Sequence, residues 1–416
     1  MKKLGKPVPD LTKLQKMAKA WQPSDSHPPV DFSNTEIAFA DKSDQELKQT
    51  AWLFKMMNNA SLVDWGGKLA LLAAKLRLPF FETIVKKTIF PQFCGGTTLL
   101  DSQSSIDRLY KNGVYSVLDY GAEGKEEEAD FNFTMNENIR AIEFASTQES
   151  VPVISTKITG LARFAILEKV SASEELTKKE QEEYQNIVKR IDSICHNAAR
   201  LDVGVFIDAE DSWIQVAIDN LANQMMKRYN GKKAIVYNTF QLYRHDRLAY
   251  LMESFDRAKK EGYMLGAKLV RGAYMDKERA RAKEKGYPSP IQPTKKATDH
   301  DFDLAVRFCI ENYEKMASCF ATHNAETTRL AADLIAEKGI DKGHHHLMFS
   351  QLYGMSDHLT FNLAKGGYNV SKYLVYGQVK DVIPYLIRRS QENSSVTGDM
   401  SREYSFILKE IKRRGI

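Results

Sequence analysis

The stretch AIVYNTF, residues 234–240, is a short apolar run bounded by polar segments, and LGAKLV, residues 265–270, repeats the pattern after a helical stretch. Near-continuous apolar runs of this length are typical of buried parallel strands, and the helical stretches between them fit the crossovers that parallel strands need. Eight strands that alternate with helices predict an α/β fold of the (β/α)8 TIM-type barrel. The other six runs are YSVLDY (115–120), VPVISTKI (151–158), VGVFID (203–208), SCFATH (318–323), HLMFSQ (346–351) and VSKYLVY (370–376).

The competing architecture is an open, doubly wound sheet, but no G-x-G-x-x-G follows any predicted strand. We therefore divide the chain into a helical N-terminal arm at 1–112, a barrel at 113–400 and a basic helical tail at 401–416. Within these units, SDQE (43–46) and TKKE (177–180) have the pattern of helix capping boxes.

Composition excludes several classes of function. The 416 residues are 43% hydrophobic and 27% charged, with a net charge of only +5, and the basic residues form no run with interleaved aromatics. We expect no nucleic-acid partner. Four scattered cysteines without a C-x-x-C motif indicate a reduced, cytoplasmic-type interior and no metal site. The N-terminus lacks the apolar core of a secretory signal, and charges interrupt the apolar window at 60–81, so we expect no spanning helix there, although contact with a membrane surface stays open.

Polar side chains stand at nearly every predicted strand end, where barrels of this type carry their chemistry. After the last strand, YLIRRSQEN (385–393) places two adjacent arginines on a helix-like stretch, with Glu392 within reach of either. Alone, this stretch fits an exposed salt bridge, or a pair of guanidinium forks that bind an anion. The strand-end residues are Lys157, Asp208, Gln241, Lys268, the segment Arg271 to Tyr274, Thr322, His323 and Tyr373.

Each of these residues also has a simpler interpretation. Lys157 fits a solvated lysine, an anion ligand or a Schiff-base nucleophile. Asp208 fits a helix cap, and a magnesium pair with Glu210 is disfavoured. Taken together, a basic cleft with aromatic walls and no metal set suggests a small anionic substrate and a cofactor that supplies the chemistry.

The motifs KLVRGAY, ATHNAET, QLYGMSD and KYLVYGQVKDVIPYLIRRSQENSS, taken in order, resemble those of proline dehydrogenase, the flavoprotein barrel also found in proline utilisation A proteins. The resemblance covers about residues 113 to 400, and residues 1–112 match only as a helical arm. It implies a distorted (β/α)8 barrel that holds FAD without a dinucleotide-binding fold.

The resemblance also implies roles for individual residues. Arg388, Arg389 and Lys157 match the clamp on the substrate carboxylate, and Tyr373 matches the tyrosine that packs against the proline ring. Asp208 matches the acid that pairs with a clamp arginine, with Glu392 as its helper. We expect catalytic roles for Asp208 and Lys268 and a substrate contact from Tyr274. The flavin-contacting positions match Ala209 (through its backbone), Gln241, Arg271, Gly272, Ala273, Thr322 and His323.

One departure concerns the segment Lys268 to Arg271, where many bacterial relatives read Arg-Leu-Val-Lys. The charge is kept, but a lysine at 268 offers no planar fork.

The implied activity is the first step of proline catabolism. L-proline would lose a hydride to FAD and become 1-pyrroline-5-carboxylate, and the electrons would pass to a membrane quinone. A pyrroline-5-carboxylate dehydrogenase is a candidate partner, and we expect a cytoplasmic protein, or one peripheral to the inner face of the membrane. The alternatives are a Schiff-base aldolase that uses Lys157 and a non-catalytic amino-acid binder.

Overall fold

The computed structural model describes residues 30–76, 78, 80–121, 126–395 and 399–416. Its centre is a sheet of nine strands in this described part, and every pairing between the strands is parallel. In chain order the strands are β1 (Cys94–Gly96), β2 (Tyr115–Tyr120), β3 (Val153–Thr156), β4 (Gly204–Ile207), β5 (Val236–Gln241), β6 (Leu265–Val270), β7 (Met316–Ala321), β8 (Leu347–Leu352) and β9 (Val370–Tyr376).

Strands β2 to β9 close into an eight-stranded barrel, because β9 pairs with both β8 and β2. The predicted (β/α)8 architecture is therefore confirmed. The closure is uneven: β8 pairs with residues 370–373 of β9, whereas β1 pairs with Val375 and Tyr376. The short strand β1 thus hydrogen-bonds to the part of β9 that extends beyond its pairing with β8.

Helices follow the strands and cover the outside of the barrel. In the described part, no helix is both long and apolar enough to cross a bilayer. The α-helices of that part are α1 (Thr35–Ala38), α2 (Asp44–Met57), α3 (Ala60–Lys75), α4 (Phe81–Lys87), α5 (Phe90–Phe93), α6 (Leu99–Lys111), α7 (Glu128–Ala145), α8 (Phe164–Ser171), α9 (Lys178–Leu201), α10 (Gln215–Tyr229), α11 (Arg247–Glu261), α12 (Met275–Lys285), α13 (Lys295–Glu311), α14 (Ala325–Glu337), α15 (Asp357–Lys365), α16 (Val379–Ser395) and α17 (Asp399–Arg414).

Both predicted capping boxes form. Ser43 accepts a hydrogen bond from the backbone N–H of Glu46 and donates its own N–H to the Glu46 carboxylate at 2.7 Å. Thr177 and Glu180 make the same reciprocal pair at the start of α9, with 2.9 Å from the Thr177 N–H to the carboxylate. Each box satisfies backbone donors that the first helical turn would otherwise leave without partners.

The barrel strands separate two hydrophobic clusters. Leu118 and Ile154 belong to the larger cluster, which lies between the sheet and the outer helices. Their chain neighbours Val117 and Val153 belong to a second cluster, which also contains arm residues such as Phe54. Since consecutive strand residues face opposite sides of a sheet, this alternation buries both faces of the barrel wall.

The predicted arm and tail pack on each other. At the end of α17, Arg414 donates hydrogen bonds to the carbonyl oxygens of Phe39 (2.7 Å) and Lys42 (2.8 Å). Residues 1–29 of the predicted arm lie outside the described residues. Strand β1 lies within the predicted arm and yet joins the barrel sheet, and the division of the chain at 112 and 400 remains a prediction.

Candidate active site

A cavity of about 360 Å³ lies at the C-terminal ends of the barrel strands. Because parallel strands end at the same rim, side chains far apart in sequence meet there. Fourteen of the fifteen predicted site residues line this cavity. They are Lys157, Asp208, Ala209, Gln241, Lys268, Arg271, Gly272, Ala273, Tyr274, Thr322, His323, Tyr373, Arg388 and Arg389. The fifteenth, Glu392, belongs to α16, but its side chain lies outside the described residues.

Asp208 is the centre of a buried polar cluster on one wall of the cavity. The Lys268 ammonium donates to its Oδ1 at 2.6 Å, the Tyr373 hydroxyl donates to its Oδ2 at 2.7 Å, and the Lys157 Nζ lies 3.5 Å from Oδ2. Burial by itself would raise the pKa of Asp208, but attraction to Lys268 and Lys157 outweighs it and lowers the pKa to about 2. Asp208 is therefore a carboxylate at any physiological pH.

Asp119, on β2, is the member of this cluster that the sequence analysis missed. Its Oδ2 accepts from Lys157 Nζ at 2.7 Å, and its side chain is almost completely buried. Burial raises the pKa of Asp119, and the Asp208 carboxylate adds to this, against the opposing effect of Lys157. The signal in the sequence was a single acid inside the otherwise uncharged strand YSVLDY. Together, Asp119 and Asp208 match the charges of Lys157 and Lys268.

Tyr373, on β9, joins both ion pairs. Its hydroxyl donates to Asp208 and accepts a 3.1 Å hydrogen bond from Lys157. Burial raises the pKa of Tyr373 well above its ordinary value, and the two carboxylates raise it further. The phenol therefore stays protonated, and its ring is held beside the Lys268 ammonium, 4.8 Å from the ring centroid.

Arg388 and Arg389 reach the cavity from α16, the helix that follows β9. Arg389 is buried, with its guanidinium 5.4 Å from the Tyr385 ring, and Arg388 is half-buried. Both side chains line the cavity. Two planar guanidinium groups and the Lys157 ammonium, which line the same cavity, suit a small anion such as a carboxylate.

The opposite part of the cavity offers polar groups of another kind. The Gln241 side-chain nitrogen donates to the backbone oxygen of Glu210 at 3.0 Å, whereas its Oε1 is buried and has no hydrogen-bond partner among the described residues. Arg271 is fixed by Asp299 at 2.8 Å and by the hydroxyls of Thr322 and Thr327. A buried acceptor without a partner next to a fixed guanidinium fits a ligand that donates and accepts hydrogen bonds.

Gly272 shapes the mouth of the cavity. Its φ of +135° lies in a region that side chains rarely adopt, and a Cβ there would lie 2.4 Å from the Tyr243 ring. The RGAY segment can therefore follow this path only with glycine at 272, which brings its backbone to the cavity.

His323 lies between the cavity and the loop before α15. Its Nδ1 is 2.8 Å from the hydroxyl oxygen of Ser356. Burial lowers the pKa of His323 to about 3, helped by the nearby charges of Lys372 and Arg389. The imidazole is therefore neutral at physiological pH, so it contributes hydrogen bonds and ring surface rather than charge.

The sequence of the chain matches an established family. A family model described as proline dehydrogenase matches residues 102–402. The chain belongs to the proline dehydrogenase family. Members of this family are oxidoreductases. The alternative interpretations, a Schiff-base aldolase and a non-catalytic amino-acid binder, are therefore not supported.

Relatives of this family match along most of the chain. A protein of Xenopus laevis named hydroxyproline dehydrogenase is 33% identical over 423 residues, which cover 92% of this chain and 90% of the relative. Proline dehydrogenase 1, mitochondrial, of Drosophila melanogaster is 40% identical over 250 residues, which cover 58% of this chain and 37% of the relative.

The fold is also that of solved proline dehydrogenase relatives. The crystal structure of proline utilization A from Bdellovibrio bacteriovorus superposes with a TM-score of 0.68 at 19% sequence identity. The match covers 94% of this chain and 42% of that protein, so the chain spans less than half of the larger relative.

Proposed function

We propose that the chain oxidises L-proline to 1-pyrroline-5-carboxylate, with FAD as its bound cofactor and a membrane quinone as the final electron acceptor. The observation that carries the proposal is the cavity itself. It combines three cations, Lys157, Arg388 and Arg389, with the buried ring of Tyr373 and a separate set of hydrogen-bonding groups around Gln241.

The cations suit the carboxylate of an amino acid. Arg388 and Arg389 offer planar forks that bind a carboxylate through two hydrogen bonds, and Lys157 adds a point charge in the same cavity. The Tyr373 ring, fixed through its hydroxyl to Asp208, offers an apolar face for a saturated five-membered ring. Such fixation of the substrate lowers the barrier to reaction because less motional freedom is lost on the way to the transition state.

The residues on the other side of the cavity fit FAD. The Oε1 of Gln241, which has no partner among the described residues, is an acceptor for an imide N–H. The Arg271 guanidinium, which donates to the Thr322 hydroxyl, is a donor at the same rim. Gly272 has no side chain and Ala273 a small one, so their backbone lies close to the cavity. Ala209 and His323 also line the cavity and complete the set of residues that would hold the cofactor. When bound, FAD supplies a two-electron acceptor for the hydride that leaves the substrate.

The cluster around Asp208 also acts on the amine of the substrate. Proline carries a protonated nitrogen in water, and this proton must leave before the nitrogen lone pair can assist the loss of a hydride from C5. Cations near a bound amine disfavour its charged form. Lys157 and Lys268 are held at this wall by Asp119 and Asp208, so the positions of both ammonium groups are fixed before the substrate binds.

One relative, from Xenopus laevis, is named hydroxyproline dehydrogenase, so 4-hydroxyproline is a second candidate substrate. Tyr373 favours proline, because its buried ring would place an apolar wall against a ring hydroxyl and leave that group with poor hydrogen bonding. We therefore propose proline as the preferred substrate.

Two parts of the proposal concern the surroundings of the enzyme. The electrons would end on a quinone, and a pyrroline-5-carboxylate dehydrogenase would consume the product. The enzyme would be cytoplasmic, or peripheral to the inner face of the membrane. The Drosophila melanogaster relative carries mitochondrial in its name, so a mitochondrial location is the alternative.

The proposal is tested by turnover with a chemically defined product. FAD-loaded protein is mixed with L-proline and a soluble redox dye, and the product is trapped with o-aminobenzaldehyde, which forms a coloured adduct with pyrroline-5-carboxylate. We expect dye reduction and adduct in equal amounts, with D-proline as the matched control. Dye reduction without adduct, or neither signal in FAD-loaded protein, would refute the proposal.

A further inference from the structure

Most of the exposed large apolar side chains in the described part of the chain lie in the N-terminal arm. Eighteen large apolar side chains are exposed in the described part of the chain, and eleven of them lie between Trp52 and Ile84, on or next to α2, α3 and α4. Trp65, at 75%, and Phe80, at 79%, are among the most exposed. Scattered exposed apolar residues are normal, but a concentration on three consecutive helices marks an interaction surface. We call the exposed apolar side chains of residues 52–84 the arm surface.

Helix α3 shows how the arm surface arises. One face points inward: Val63 is buried, and Gly67 lies so close to α16 that a Cβ there would be 3.3 Å from the Ile387 side chain. A surface helix normally carries polar residues on its opposite face. Here the opposite face is apolar, at a spacing of three and four residues. This outward stripe consists of Leu62, Trp65, Leu69, Leu72 and Leu76, all exposed.

The net charge of the chain is concentrated in a slightly longer segment that contains these residues. Residues 48–87 contain seven basic and two acidic residues, a net charge of +5. The whole chain has 59 basic and 54 acidic residues, so the rest is neutral, with 52 of each. The segment 48–87, which carries the arm surface, is therefore both apolar and basic, whereas the remainder of the protein has no net charge. Lysines beside exposed tryptophan and leucine are the composition of helices that lie in the interface of an anionic membrane.

We propose that the arm surface is a docking site for an anionic lipid bilayer. Trp52 and Trp65, two of the four tryptophans in the chain, suit the headgroup level of a bilayer, and the leucines of the outward stripe suit the acyl boundary below it. A second copy of the chain is the weaker occupant, because a symmetric contact would place the +5 segment of one copy against the same segment of the other.

Docking here would also place the cavity near the bilayer. Helix α3 packs against α16 at Ile387, and the next two residues of α16 are the arginines that line the cavity. A lipid-dissolved electron acceptor would then be close to the site. This consequence rests on the proposed function, whereas the docking itself does not.

Vesicle flotation tests the docking without any need for turnover. The full-length protein is mixed with vesicles of phosphatidylcholine alone, or of an equimolar mixture of phosphatidylcholine and phosphatidylglycerol. We expect flotation with the anionic vesicles, little with the neutral ones, and weaker binding at high salt. The double variant Leu69→Ser/Leu72→Ser should reduce the partition coefficient by about tenfold or more, because two leucines no longer enter the lipid. Lys86→Glu/Lys87→Glu should abolish the preference for anionic lipid.

The matched control is Leu100→Ser/Val216→Ser, which removes exposed apolar side chains outside the arm surface and should bind vesicles like the parent. Absence of flotation with anionic vesicles would overturn the proposal. So would a dimer in sedimentation analysis that Leu69→Ser/Leu72→Ser dissociates, since this would assign the surface to a second copy. Proline-dependent reduction of a soluble dye, measured on the same samples, separates the two proposals: loss of flotation with intact turnover removes only the docking, and flotation without turnover removes only the proposed activity.

Discussion

The cavity at the top of the barrel and the arm surface depart from the usual distribution of side chains in opposite directions. In the cavity, charged groups are buried: Lys268 and Asp208 are each less than one-tenth exposed. On the arm surface, apolar groups are exposed: Trp65 and Leu69 are 75% and 64% accessible. The first arrangement is stable only because each buried charge has a partner within the fold. The second retains apolar surface that an external partner can cover.

This difference separates two kinds of function. The buried charges at Asp208 are fixed in position before any ligand arrives, which suits the recognition of one small molecule. The exposed stripe on α3 has no such fixed geometry, which suits a broad, fluid partner such as a lipid surface. Removal of a charge should therefore lower the free energy of unfolding strongly in the cavity and only slightly on the outer surface.

The largest effect is expected at Lys268. The change Lys268→Met leaves the buried Asp208 carboxylate without its 2.6 Å partner and should reduce the free energy of unfolding by about 3–5 kcal/mol. Denaturation in urea measures this change. The matched control is Lys259→Met, which breaks an exposed pair with Asp256 and should cost at most about 1 kcal/mol. Equal costs for the two variants would show that the cavity charges behave like surface charges.

The second effect concerns substrate binding by the arginine pair. Arg388→Met or Arg389→Met removes a charge-assisted hydrogen-bond donor, which should cost about 1.5–3 kcal/mol and raise KM for proline roughly 10- to 150-fold. Steady-state kinetics measure KM, and flavin absorbance checks that the cofactor is retained. Lys68→Met removes a cation from the arm and should leave KM unchanged with a soluble acceptor. A parental KM in both arginine variants would place the pair outside the substrate site.

The third effect concerns the choice of substrate. Tyr373→Ser removes the apolar wall and adds a hydroxyl partner, so the preference for proline over 4-hydroxyproline should narrow or reverse, by about 1–3 kcal/mol in relative kcat/KM. Tyr373→Phe is the matched control, because it keeps the ring and should keep the preference. Parallel losses on both substrates in Tyr373→Ser, with an unchanged ratio, would remove Tyr373 from the pocket; the melting temperature serves as the fold control.

The smallest effect is a pH dependence at His323. Its pKa falls from an ordinary 6.5 to about 3 in the fold, so between these values the unfolded chain binds more protons than the folded one. Folded stability is therefore lost as the pH decreases from 6.5. The difference in free energy of unfolding between the parent and His323→Gln should therefore change with pH. Between pH 7.5 and pH 5.5 the parent should lose about 1.4 kcal/mol more than the variant.

Urea denaturation of flavin-free protein at the two pH values measures this difference without changes in flavin occupancy. If the free energy of unfolding of His323→Gln changes with pH as that of the parent does, the imidazole is accessible enough to be protonated in the fold.

The barrel could be predicted from the sequence because burial on both faces leaves a direct pattern. The runs YSVLDY, LGAKLV and VSKYLVY coincide residue for residue with β2, β6 and β9. Strand β1 has no such pattern: Cys94–Gly96 is too short and too rich in glycine to mark a strand. It exists because β9 offers free backbone groups beyond β8, a condition set by tertiary structure.

The site, like the barrel, could be predicted only in part from the sequence. That strand ends converge follows from barrel geometry, so the lining residues could be named in advance. The pairing of these groups could not be predicted, because the partners are far apart in the chain. Lys157 meets Asp119, 38 residues earlier, and Tyr373, 216 residues later. Likewise, the hydrogen bond of His323 depends on Ser356. The backbone of Ser356 has a left-handed φ of 54°, which no local sequence motif predicted.

The central claim is that the cavity binds proline beside a flavin, and an anaerobic titration tests it most directly. Purified protein, supplemented with FAD if needed, is placed under nitrogen, and its visible spectrum is recorded as L-proline is added. We predict a yellow protein whose flavin absorbance bleaches with proline and does not bleach with D-proline. A protein that remains colourless after FAD is added, or a flavin spectrum that L-proline leaves unchanged, would contradict the account.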